Sequence, residues 1–430
     1  MRRTLSALLL ALVLAVTGCR AGTVASDASG RVARSRLQHD LAPAADADDV
    51  RLLTSANAEL AVNLYGALRR TEGNLFFSPH SIAQALAMTY AGAEGETERQ
   101  MREVMRLELL GDKVHPAYNA LGLALASRAE QTGEYEGTGF RLHVANALWA
   151  QQGKEFRTEF LDLLASQYDA GVRLVDYVQA AEKARGTINA WVAEQTEGHI
   201  RDLIPAGALN ELTRLVLTNA IYFQASWREP FNPARTTEVS FFPPDGSKVS
   251  VPMMRQEERL RYVQAAGYRA FDLPYISSSL VMTIIVPDPG RFDAFQGALD
   301  GEQLGAILAS LDSYALLDLG LPRFRCESAF SLREALEALG MTDAFEPGIA
   351  NLAGMDGSRD LFLSEVVHKA FVDVSEAGTE AAAATAVVAP AGAMPEQPIP
   401  MIVDQPFLFL IRDVDTGAIL FMGRVVDPSR

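Results

Sequence analysis

Few side chains in this sequence keep the company that catalysis requires. The six histidines, His39, His80, His115, His143, His199 and His368, are scattered, and no Cys-x-x-Cys or His-Glu-x-x-His spacing occurs. Metal ligation therefore has no scaffold here. No Gly-x-Ser-x-Gly elbow, paired-carboxylate motif or phosphate-cradling glycine loop is present either. The expectation is no metal, no cofactor and no enzymatic turnover. One stretch is anomalous in another way. From Ala377 to Ala393 about half the residues are alanine, Glu380 is the sole charge, and Pro395, Pro398 and Pro400 follow. So long a connection inside a compact domain is usually functional or disordered, while alanine-rich sequence also forms helices. Composition alone leaves a linker, an exposed helix and a functional loop all open.

The surrounding elements are more regular. The chain has 430 residues, 49% of them hydrophobic and 21% charged, ample for a large core. Its net charge of −16 repels phosphate, so nucleic acid is not an expected partner. Arg2 and Arg3 precede an apolar run from Leu5 to Val16, too short to span a bilayer and suited to a secretion signal. The small residues before Cys19 resemble a bacterial lipobox. On that likeness residues 1–18 are a signal peptide and Cys19 carries a lipid. Arg20 offers no inner-membrane retention signal, which points to the outer membrane or cell surface. Ordinary signal cleavage near Gly18 is the alternative. Residues 19–50, rich in Ala, Asp, Ser and Arg, read as a flexible tether. Cys326 is then the one thiol left in the body, with no intrachain partner.

From residue 51 onward no linker interrupts the chain. A helical period begins at Leu53, and Ser78-Pro79 supplies an N-cap and first-turn proline for a second helix. Ala180 to Gln195 reads as a helix. Leu215 to Trp227, Ser279 to Val286, Leu319 to Phe324 and Leu361 to Val374 read as strands, and residues 407–425 as a closing hairpin. Helices come early and strands late without a βαβ repeat, so the class is α+β with mainly antiparallel sheets.

Several blocks then fall into a recognisable series. Glu376-Ala377-Gly378-Thr379-Glu380-Ala381-Ala382-Ala383-Ala384-Thr385 resembles the hinge of inhibitory serpins. Asn74-Leu75-Phe76-Phe77-Ser78-Pro79-His80-Ser81-Ile82 resembles the serpin segment entering its second helix. Leu217-Thr218-Asn219-Ala220-Ile221-Tyr222-Phe223, with Trp227, Pro230 and Phe231, resembles the strand that ends at the breach. Val251-Pro252-Met253-Met254, Leu273-Pro274-Tyr275, Val367-His368-Lys369-Ala370, Pro406-Phe407-Leu408-Phe409 and Phe421-Met422-Gly423-Arg424-Val425-Val426-Asp427-Pro428 resemble further landmarks in the same order. The likeness covers 51–430 and implies a serpin fold. That means three β-sheets, about nine helices and an exposed reactive-centre loop, here about 376–400.

The resemblance also implies a mechanism. A target serine or cysteine protease cleaves the loop and becomes covalently trapped as an acyl complex when the loop inserts into the main sheet. Family spacing places the reactive bond at Gly392-Ala393, with Ala391, Met394 and the Val388-Ala389 bond as alternates. The candidates are small and apolar, so an elastase-like or subtilisin-like protease is expected rather than a trypsin-like one. An inserting strand needs small side chains on its inward face, and Thr379, Ala381, Ala383, Thr385 and Val387 supply them. Pro390 departs from this pattern, because proline removes a ladder donor. Ser78, Ser81, Asn219 and His368 look like the family's shutter cluster, and Trp227 like its breach position. A monomer is expected. The alternative is a non-inhibitory serpin serving as a surface binding protein.

Overall fold

A computed structural model of the chain describes residues 31–130, 141–276, 279–379 and 397–430. The apolar run Leu215–Ser226 forms a strand with nearly every residue buried, as its composition requires of a central position. It lies fourth in a seven-stranded main sheet, ordered Arg31–Ala33, Val172–Val175, Arg141–Gln151, Leu215–Ser226, Gly378–Thr379, Leu363–Ser375, Phe324–Ser331. A nine-stranded network lies behind it. Its path runs Ile399–Ile402, Tyr314–Pro322, Val249–Ala265, Tyr268–Pro274, Leu280–Pro287, Phe407–Asp413, Ile419–Val425, Leu75–Phe77, with Thr237–Phe241 paired to Val249–Ala265.

The family's three sheets appear here as two hydrogen-bonded networks, and the reason is one long strand. Val249–Ala265 pairs first with Thr237–Phe241, then with Tyr314–Pro322, and finally with Tyr268–Pro274, joining two sheets without a break. Ten α-helices are present among the described residues. The helix Pro79–Tyr90 begins as expected at Ser78, whose hydroxyl accepts from the Ser81 N–H. The helix Tyr177–Gln195 covers one face of the main sheet. It buries Ile188, Trp191 and Val192 against Trp149, Val216 and Ala220, with non-helical backbone at Ala180.

Two expectations require correction. The single strand expected at Leu319 to Phe324 is two longer strands, Tyr314–Pro322 in one network and Phe324–Ser331 in the other, with Arg323 between them. The tether read over 19–50 does not extend past residue 30. Arg31–Ala33 pairs antiparallel with Val172–Val175. Asp46 then caps the first helix, Ala47–Leu68: its carboxylate accepts from the N–H groups of Asp48 and Asp49, and Asp49 accepts from the Asp46 N–H. This capping box starts the helix six residues before Leu53. Residues 1–30, on which the readings of a signal peptide, a lipidated Cys19 and the rest of a tether fall, lie outside the described residues.

A buried polar triad ties three strands of the second network. Arg412 donates to Asp272 and Thr283, both at 2.7 Å, and Thr283 donates to Asp272 at 2.6 Å. Both charged side chains are under one-tenth exposed. Asp272→Ala strands the guanidinium, and the expected loss is about 3–5 kcal/mol of unfolding free energy, read by chemical denaturation.

Candidate functional site

The main sheet is closed along most of its centre and wedged open at one end. Leu215–Ser226 and Leu363–Ser375 pair in parallel from Leu215 opposite Leu363 to Tyr222 opposite Phe371. Beyond that point Gly378 and Thr379 stand between them. Thr379 faces Ala225 on one side and Val374 on the other, and Gly378 faces Ser226 and Ser375. The chain reaches this position by turning back at Glu376 and Ala377.

Each residue of that turn is held. The Trp227 N–H donates to the Ala377 carbonyl at 3.1 Å, and the Phe231 N–H to the Glu376 carbonyl at 2.9 Å. The Trp227 indole donates to the Ser375 carbonyl at 2.9 Å. Gly378 has φ +147°, and a β-carbon there would lie 2.2 Å from the Ala225 carbonyl oxygen. Only glycine fits. Thr379 is fully buried, its hydroxyl 2.9 Å from the Tyr275 hydroxyl. Tyr275 in turn stacks on Trp227, with ring centroids 4.5 Å apart.

Glu376 locks the turn from its other side. Arg323 donates to both carboxylate oxygens, at 2.9 and 2.8 Å from Nε, and Thr236 donates to the first at 2.5 Å. Burial alone would raise the Glu376 carboxyl. The hydrogen bonds from Arg323 and Thr236 outweigh it and hold the group below its ordinary value.

Below the closed part of the sheet a polar network crosses between elements. Asn219, on Leu215–Ser226, donates from Nδ2 to the Ser81 hydroxyl and to Asn146 Oδ1, both at 2.6 Å. Its own Oδ1 accepts from His368 Nδ1. His368 Nε2 accepts from the Ser78 N–H at 3.2 Å, which fixes the neutral Nδ1–H tautomer. Ser78 also donates its hydroxyl to the Leu420 carbonyl at 2.6 Å. Asn146 closes the ring through bonds to Ser81 and Gln84.

Comparison with known proteins gives this geometry its context. The family profile described as Serpin (serine protease inhibitor) matches residues 55–428. The chain belongs to the serpin family. A serpin-like protein of Thermococcus kodakarensis is 39% identical over 85% of this chain and 84% of its own. Mouse antithrombin-III is 37% identical over 87% of this chain and 82% of its own length, and human leukocyte elastase inhibitor 36% over 87% and 99%. Uncleaved ovalbumin superposes with a TM-score of 0.76 at 27% identity, covering 87% of this chain and 100% of ovalbumin.

Within this serpin, the structure brings Ser78, Ser81, Asn219 and His368 into one network, and Trp227, Glu376, Ala377, Gly378 and Thr379 into another. Glu380, Ala381, Ala382, Ala383, Ala384, Thr385, Val388, Ala389, Pro390, Ala391, Gly392, Ala393 and Met394 lie outside the described residues. Sequence reasoning missed Asn146, Arg323 and Thr236. An asparagine amid Ala145, Ala147 and Leu148 in a buried strand was a usable signal for the first. Cys326 is buried, and burial pushes its thiol up to about 12, so it is an unreactive core group. Among the described residues no group of three or more His, Cys, Asp or Glu could hold a metal, and no helix is long and apolar enough to cross a membrane.

Burial pushes His368 down to about 3 and His80 and His115 to about 4, from an ordinary 6.5. Each folded value lies below the unfolded one, so the unfolded chain binds more protons in acid. The stability from keeping these rings neutral is present above pH 6.5 and lost as pH falls toward 4. Unfolding free energy is expected to drop in that window with a slope approaching about 1.4 kcal/mol per pH unit for each ring. His368→Gln should remove one ring's share of the slope, as measured by denaturation at a series of pH values.

Proposed function

We propose that this serpin is a suicide inhibitor of an elastase-like or subtilisin-like protease. The carrying observation is the pair Gly378–Thr379, lodged as the first rung of an additional strand between the two central strands of the main sheet. The insertable segment that follows in sequence is small and almost uncharged. Above it the entrance is built of Trp227 and Tyr275. Below it the strands that must part are joined through His368 and Asn219, polar groups that can exchange partners.

The chemistry is supplied by the target. Its nucleophile attacks the carbonyl of Gly392, the bond to Ala393 breaks, and the departing nitrogen takes a proton as a new amino terminus. An ester or thioester then joins Gly392 to the protease. Entry of residues 380 onward into the sheet carries that bond away from the protease's catalytic groups before water reaches it. Similarity to the leukocyte elastase inhibitors and the apolar residues around Gly392 support a shallow apolar specificity pocket in the target. Neither lysine nor arginine occurs between residues 376 and 400. The inhibitor is proposed to act as a monomer, exported by its first 18 residues and held at the cell surface by a lipid on Cys19.

Incubation with elastase or subtilisin is expected to give a band larger than the serpin on denaturing electrophoresis. Clipping without that band would favour the non-inhibitory alternative, a surface binding protein. Thr379→Arg places a cation where a buried hydroxyl now meets Tyr275. Overpacking of about 1–3 kcal/mol should turn the inhibitor into a substrate, with cleavage retained and trapped complex reduced by roughly tenfold or more. Unchanged trapping by that variant would sink the insertion mechanism.

A further inference from the structure

Residues 31–46 make contacts that a tether does not need. Arg31, Val32 and Ala33 pair with Leu174, Arg173 and Val172 on the edge of the main sheet. Gly171, just before that edge strand, lets them approach. A β-carbon on it would lie 2.7 Å from the Ala33 carbonyl oxygen and 3.0 Å from the Arg34 β-carbon. Arg34 then pairs with Asp169, and Ser35 donates to Asp162 on the helix Thr158–Tyr168. The Asp40 N–H donates to the Ser166 carbonyl of that helix at 2.8 Å.

The next contacts are on a second helix, Val114–Glu130. Its Asn119, only 3% exposed, donates to the Asp40 carbonyl at 2.8 Å and faces His39 Nε2 from Oδ1 at 2.7 Å. Asp46 finally caps Ala47–Leu68, which packs against Ile419–Val425 in the second network. Exposed ion pairs such as Arg34–Asp169 stabilise little. The fixed points are the strand pairing and buried Asn119, which would lose its two shortest bonds, to Asp40 and His39, if the segment lifted, and keep only the longer ones to Ser166 and Gln167 at 3.4 and 3.5 Å.

This route matters because of where the sheet opens. A new strand between Leu215–Ser226 and Leu363–Ser375 separates the two halves of the main sheet by about one more strand spacing, roughly 4.8 Å. Strand Val172–Val175 belongs to the half that contains Leu215–Ser226, whereas helix Ala47–Leu68 is seated on the second network. Residues 31–46 bridge the two. We infer that this segment is a strap that holds the main sheet unexpanded and slows passage of the uncleaved protein into a loop-inserted form. The inference rests on the insertion reading above.

The test uses the full chain held below its unfolding temperature. Conversion is followed by the joint loss of protease trapping and rise in Tm, and hydrogen exchange reports on the amides of residues 31–33. Gly171→Val is expected to release those amides and speed conversion by about tenfold or more. In the double variant Val32→Cys, Arg173→Cys, oxidation is expected to slow conversion relative to the same protein reduced. Released amides with an unchanged rate would overturn the strap. So would equal rates for the oxidised and reduced double variant, which decides the matter alone if Gly171→Val does not fold. A parallel arm nicks the loop of the parent protein. If Tm does not rise there, the insertion reading itself fails. If it rises while the strap variants convert at the parent rate, only the strap fails.

Discussion

The backbone of the main sheet must be hydrogen-bonded whether or not another strand lies within it. Unpaired buried N–H and C=O groups are too costly to leave in the centre of a sheet. Leu215–Ser226 and Leu363–Ser375 meet that requirement by pairing directly with each other as far as Tyr222 and Phe371. Beyond them Gly378 and Thr379 pair with Ser226 and Ala225 on one strand and with Ser375 and Val374 on the other. The junction is thus the boundary between two sets of backbone partners, and under the proposed insertion one set would be exchanged for the other. Trp227, Tyr275 and Glu376 surround that junction and fix its starting position.

The polar network beneath follows from the same constraint. His368 and Asn219 sit directly opposite one another on the two strands that would part. An apolar pair there would lose packing on separation with nothing to replace it, while hydroxyls and amides can re-form bonds to a newcomer's backbone. Keeping His368 neutral is part of this design. Its Nε2 must accept from the Ser78 N–H while its Nδ1 donates to Asn219, and a second proton would convert that acceptor into a donor.

Legibility in the sequence followed the strength of each local signal. The apolar run from Leu215 announced a central strand because burial on both faces needs no alternation. Ser78-Pro79 announced a helix start because cap and proline act within a few residues. Strand Phe324–Ser331 was missed because its outward positions carry Arg325 and Glu327, so only alternate residues are buried. Residues 31–46 looked like a tether since their polar composition hides a three-residue strand and a cap made of two aspartates. At the site, Gly378 and Thr379 could be read locally. Arg323 could not, because its partner lies 53 residues away and depends on the packing of two networks.

The edge strand also has a geometric consequence for the proposed acyl chain. Arg31 lies twelve positions after Cys19, and a fully extended link of that length reaches about 40 Å. A globular body of this size is roughly 50 Å across. With Cys19 embedded in lipid, the bilayer would lie within one molecular diameter of the sheet edge. Gly378 emerges four strand positions from that edge, about 20 Å across the sheet. The bait would then patrol a thin shell at the cell boundary. Proteases in bulk medium would be met only when they approach the surface, and an inhibitor anchored in this way would act as a sentry rather than a circulating scavenger.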